Sequence, residues 1–153
     1  MELPCRRFGR TNLKMPVLSL GGMRFQKSWD ELKFSEISRK EQNKVENILN
    51  LANKFGFNHI ETAKYYGTSE IQLGMGFKSI EKIPKIIQTK IPPNRDPKLF
   101  EAELLKSFEK LQVKKIDLLA IHGINTPEHL HQSVKDGGCI DILKKFQKEN
   151  LIG

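Results

Sequence analysis

At 153 residues, 38% hydrophobic and 29% charged, the chain has the make-up of one globular domain or part of one, not of a disordered segment. No apolar run approaches the roughly 18 residues of a membrane span, and residues 1–7 lack the apolar core of a secretion signal, so a cytoplasmic protein without a membrane partner is expected. The net charge of +8 comes from lysines spread along the chain, with no Arg-rich block and no helix-turn-helix or zinc-finger spacing, which reads as solvated helix faces and no nucleic-acid partner.

Residues 5–18 read as a hairpin, with Gly9 and Thr11-Asn12 as turn signals. The first strand of the core is predicted over Val17–Leu20, ending in Gly21-Gly22, where the lack of side chains lets backbone or a ligand come close. A polar insert follows from Phe25 to Ile37. Ser38 and Glu41 form a capping-box pattern that opens a helix. Val45, Ile48, Leu49, Ala52 and Phe55 mark its buried stripe, and Gly56 closes it. The second strand is predicted over Phe57–Thr62, and a helix over Ser69–Phe77. The third strand spans Lys85–Ile91, stopped by Pro92-Pro93. Asp96-Pro97 starts the next helix, with Phe100, Leu104, Leu105, Phe108 and Leu111 as its stripe. The fourth strand covers Lys115–His122, whose apolar run suits a strand buried on both faces. Residues 124–139 are read as a loop with one turn around Pro127–Leu130, and Asp141–Asn150 as the last helix. Strands alternating with helices imply βαβ units and a parallel sheet.

Alternation along the strands decides which side chains share a face. Phe57, His59 and Glu61 point one way on the second strand. So do Ile86, Gln88 and Lys90 on the third, and Ile116, Leu118, Ala120 and His122 on the fourth. If those faces meet, Glu61, Lys90 and His122 converge at the C-terminal strand ends, and Tyr66, five residues past Glu61, leans over them. A tyrosine is a poor acid at neutral pH, and an adjacent ammonium stabilises the tyrosinate that proton donation leaves behind. Such a group suits proton delivery to a carbonyl oxygen, with Glu61 holding Lys90 and His122 orienting the carbonyl. Cys5 and Cys139 are far apart and form no CxxC pair, which fits reduced thiols. His59, His129 and His131 have no metal-ligand partners at useful spacing, so no metal is expected, and no GxGxxG fingerprint is present.

Glu61, Tyr66, Lys90 and His122, in this order at successive strand ends, resemble the Asp-Tyr-Lys-His tetrad of the aldo-keto reductase family. Phe8-Gly9-Arg10-Thr11 and Leu73-Gly74 after Ser69-Glu70 also match family patterns, whereas Glu61 stands where most members have Asp. The resemblance implies an α/β fold, a truncated TIM (β/α)8 barrel of about four βα units with an N-terminal hairpin. It implies NADPH-dependent reduction of an aldehyde or ketone, with Tyr66 rather than Tyr65 as the acid and a small carbonyl compound as substrate. It places Gly22, Met23 and Arg24 at the cofactor. A whole barrel needs roughly 250 residues, so the 153 here are expected to be the N-terminal half. Three readings stay open: a fragment of a full reductase, a half-barrel that self-associates through exposed sheet edges, and a catalytically inactive remnant or interaction module that pairs with another chain.

Overall fold

A computed structural model describes residues 3–80, 84 and 86–153. The hairpin pairs β1 (Cys5–Phe8) antiparallel with β2 (Leu13–Pro16). Asn12 takes the left-handed conformation at the turn. A separate four-stranded sheet follows, all parallel, in the order β3 (Leu20–Gly21), β4 (His59–Glu61), β5 (Ile86–Ile91) and β6 (Leu118–Ile121).

Among the described residues five α-helices connect and flank these strands: α1 (Arg39–Lys54), α2 (Ser69–Ser79), α3 (Pro97–Leu111), α4 (Pro127–Val134) and α5 (Cys139–Lys148). Ser38 caps α1 by accepting from the Glu41 amide, and its hydroxyl donates to the Glu41 carboxylate at 2.7 Å. At the other end Gly56, at φ +79°, allows Phe57 N–H to reach back to Ala52 O and Gly56 N–H to Asn53 O, the Schellman pattern. Asp96 caps α3 through the Lys98 amide, with Pro97 in the first turn.

One core joins the helices to one face of the sheet. Ile60, Ile87 and Ile91 of the strands pack with Val45 and Leu49 of α1, Leu73 and Phe77 of α2, Phe100, Leu104 and Leu111 of α3, and Phe146 of α5. Period-2 alternation therefore turns His59, Glu61, Gln88 and Lys90 to the opposite face, as the sequence predicts.

Several boundaries differ from expectation. Val17 and Leu18 are exposed, and the Val17 amide bonds Pro4 O, so this stretch extends the hairpin and the core strand begins only at Leu20. In α1, Ile48 and Phe55 lie on the exposed flank of the stripe, and in α3 Leu105 does. The β6 strand is half-buried along its length instead of buried on both faces. Beyond it, among the described residues, the sheet continues as a single parallel bridge between Ile116 and Ile152. The 124–139 stretch holds a full helix, α4, capped by Thr126. Of the predicted third strand, Lys85 lies outside the described residues.

Candidate active site

Glu61 ends β4, Lys90 is the penultimate residue of β5, and His122 directly follows β6. All three lie at C-terminal strand ends, and parallel pairing brings those ends side by side. The loop after β4 is laced to β5 by Thr62 N–H to Gln88 O and Lys64 N–H to Lys90 O. A short turn, Tyr66 N–H to Ala63 O, then swings Tyr66 back over the sheet.

Lys90 is the hub. Its ammonium forms an ion pair with Glu61 and donates to the Tyr66 hydroxyl at 2.8 Å. Lys90 Nζ also lies 4.6 Å from the Tyr66 ring centroid. Burial pushes the Lys90 pKa below the usual lysine value. His122 meets the Tyr66 ring edge-on, with centroids 5.9 Å apart at 90°. Burial, and then the nearby Lys90 ammonium, hold the His122 pKa below the usual histidine value, so its ring is neutral at pH 7. His122 Nδ1 is buried and has no hydrogen-bond partner among the described residues. Tyr65 also touches His122, at 5.7 Å, but its ring is mostly exposed. The hydrogen bond to Lys90 belongs to Tyr66.

Gly22, Met23 and Arg24 form a short 3-10 turn just past β3. A Cβ on Gly22 would lie 2.9 Å from Ser69 Oγ and 3.0 Å from Glu61 O, so that glycine allows strand and helix to close together. The neighbouring Gly21 faces open space, and Met23 and Arg24 are exposed. The polar insert packs on the Tyr66 loop: Thr68 N–H bonds Ser28 O, and a Cβ on Gly67 would lie 2.8 Å from the Trp29 Cα. Below the mouth, His59 is buried between Ser19 Oγ at 2.7 Å and Gln88 Oε1 at 3.1 Å, an internal polar contact rather than a solvated one. His129 lies at the start of α4, its Nδ1 3.1 Å from Gly123 O.

Sequence reasoning passed over the buried polar groups behind the tetrad. Ser69, Glu70 and Thr89 are each at most 1% exposed. Ser69 and Glu70 stand in the quoted motif, and two consecutive polar residues in the first turn of a helix with eight buried positions were the available signal.

A parallel α/β sheet with its ionisable groups at the C-terminal strand ends defines the class. The sequence model of the aldo/keto reductase family matches residues 17–152, and the chain belongs to that family. Solved structures agree on the fold. A putative aldo-keto reductase from Pseudomonas aeruginosa superposes with a TM-score of 0.78 at 22% identity, covering 99% of this chain and 60% of its own. An aldo-keto reductase from Bombyx mori in complex with NADP gives 0.68 at 20%, covering 99% and 49%. One from Klebsiella pneumoniae in complex with NADPH gives 0.70 at 17%, covering 99% and 48%. The chain thus spans about half to three-fifths of the length of these structures. Comparison with curated proteins gave no match. No helix among the described residues is long and apolar enough to cross a membrane.

Proposed function

We propose that this chain carries the proton-transfer machinery for NADPH-dependent reduction of an aldehyde or ketone to an alcohol. The observation that carries the reading is the Lys90 ammonium held between Glu61 and the Tyr66 hydroxyl. When bound, the reduced nicotinamide supplies a hydride to the carbonyl carbon. Tyr66 gives its hydroxyl proton to the carbonyl oxygen as charge develops there, and the tyrosinate later regains a proton from water. Lys90 stabilises that tyrosinate, and Glu61 keeps the ammonium in place. His122, neutral and edge-on to Tyr66, orients the carbonyl in this reading. The open space at Gly21 and the exposed Met23 and Arg24 fit the nicotinamide end of the cofactor, against the turn begun by Gly22.

The four parallel strands are read as half of a (β/α)8 barrel. The remaining grip on the cofactor then comes from further chain or from a second copy joined at the sheet edges. Two free cysteines, Cys5 and Cys139, suit a reducing cytoplasmic setting.

A fluorescence titration of NADPH into the purified chain, with Tyr66→Phe and Lys90→Met beside it, tests the reading. We expect micromolar binding in every form and turnover of simple aldehydes in the parent chain. Tyr66→Phe should cut kcat by about 10²–10⁴-fold with little change in binding. Turnover that survives Tyr66→Phe would refute the assignment. A folded chain that ignores millimolar NADPH, alone and at concentrations where it self-associates, rules out a self-completing half-barrel and leaves the inactive or interaction-module reading, or a fragment whose cofactor grip lies in further chain.

A further inference from the structure

The first turn of α2 is fastened on both sides by side chains that the reaction does not use. Ser69 Oγ donates to Gly22 O at 2.8 Å and is bonded to Thr62 Oγ1 at 2.8 Å, so it grips the ends of β3 and β4. Glu70, the next residue, reaches the other way. Its Oε1 accepts from Thr89 Oγ1 of β5 at 2.6 Å, and its Oε2 from Ser107 Oγ of α3 at 3.2 Å. Two of these four contacts fall next to a member of the tetrad: Thr62 follows Glu61 and Thr89 precedes Lys90. The same turn holds Tyr66 itself, because the Ser69 amide donates to Tyr66 O at 2.9 Å.

Glu70 is a costly residue for this place. It is 1% exposed, and among the described residues no cation lies at ion-pair distance; Lys110 and Lys64 act only from farther away. Burial raises its pKa against the pull of the two hydroxyls. An apolar side chain would fill the same volume without that desolvation. What it would lack is two acceptor atoms for hydroxyls on two different elements. Without them the helix start, to which the Tyr66 loop is tied through the Ser69 amide, is free to shift relative to the strand that carries Lys90.

We propose that Glu70 is a positioning residue, tying the first turn of α2 to Thr89 and Ser107 so that the Tyr66 hydroxyl stays over Lys90. The role rests on reading Tyr66 as the acid, but its test does not need turnover. The chain has two tyrosines, so in a Tyr65→Phe background ¹³C-tyrosine labelling leaves Tyr66 as the one reporter. Its ring resonance depends on the His122 ring and on Lys90. We expect Glu70→Ala to move that resonance to the position seen in Lys90→Met, and Thr89→Val to move it part of the way. Glu70→Gln, which keeps a carbonyl acceptor and adds an amide donor that a hydroxyl accepts, should leave it in place. In an assembly that turns over, Glu70→Ala should lower kcat about 100-fold with KM unchanged, the cost of a shift on the order of 1 Å. A Tyr66 resonance unmoved in both Glu70→Ala and Thr89→Val, whatever the change in Tm, would overturn the proposal. If Glu70→Ala does not fold, Thr89→Val and Glu70→Gln decide it. Lack of reductase activity in every form would sink the functional reading and leave the resonance result standing.

Discussion

Adjacent glycines at the end of β3 face different surroundings. At Gly22 a Cβ would press on Ser69 Oγ, Glu61 O and the Thr62 side chain, all within 3.2 Å. Ser69 cannot swing aside without breaking its bonds to Gly22 O and Thr62. At Gly21 nothing lies within 4 Å, and its φ of −81° and ψ of 126° suit any residue. Gly22→Ala should therefore cost about 1–3 kcal/mol. Gly21→Ala should be neutral or stabilising by about 0.5 kcal/mol, because it restricts the unfolded chain without straining the fold. Urea unfolding of the two variants checks the pair, and equal effects would contradict this account of the β3 end. The same packing explains a partial miss in the sequence. Two glycines after a strand signal close approach, but nothing local says that only the second is pressed by protein.

Helix α2 shows what an element demands of its neighbours. It is buried nearly all round, and it meets α3 so closely that a Cβ on Gly74 would stand 2.1 Å from Lys110 O and 2.9 Å from Leu111 C. Backbone cannot yield as a side-chain tip can, so Gly74→Ala should force the helices apart and cost about 2–4 kcal/mol, more than Gly22→Ala. Thermal melts of both variants give the order, and the reverse order would count against the close crossing. Elements with a one-sided stripe or a cap were legible: α1 from Ser38 and Val45, Leu49 and Ala52, and α3 from Asp96-Pro97 and Phe100. Helix α4 was not, although Thr126-Pro127 is a fair start signal. Its only buried residue is Ser133, and its one apolar pair at helical spacing, Leu130 and Val134, is exposed and too short a stripe to mark a helix. The convergence of Glu61, Lys90 and His122 followed from period-2 alternation once the strands were read as parallel neighbours whose like faces meet. The choice of Tyr66 over Tyr65 needed the family resemblance, and the contacts of Glu70 depend on Thr89 and Ser107, which no local pattern joins to it.

Across the whole molecule, buried titratable groups make stability depend on pH in two opposite ways. Burial holds His59 and His122 below about 6.5, the value expected of the unfolded chain. Below that pH the unfolded state binds more protons, so this part of the stability is fully present above 6.5 and drains as pH falls towards the folded-state values. Glu70 has the other sign: burial raises it, so its share is full below about 4.5 and is lost as pH rises from there to its folded-state value. Because Glu70 opposes the histidines in this window, the comparison is between variants: lowering the pH from 7.5 to 5.5 should move the urea midpoint of the parent chain downwards relative to that of His59→Gln. An unchanged slope in His59→Gln would mean that the buried contact with Ser19 and Gln88 does not keep His59 neutral. The fold also places one side chain where it can be watched. Trp29 is the single tryptophan of the chain, and its backbone lies against Gly67, immediately after Tyr66. The residue is 61% exposed, so its emission colour tracks the solvent at the Tyr66 loop. The molecule thus carries a native lamp beside its reactive end, and a blue shift or quench of that light gives, without any label, the moment at which a small molecule or a second polypeptide closes over the loop.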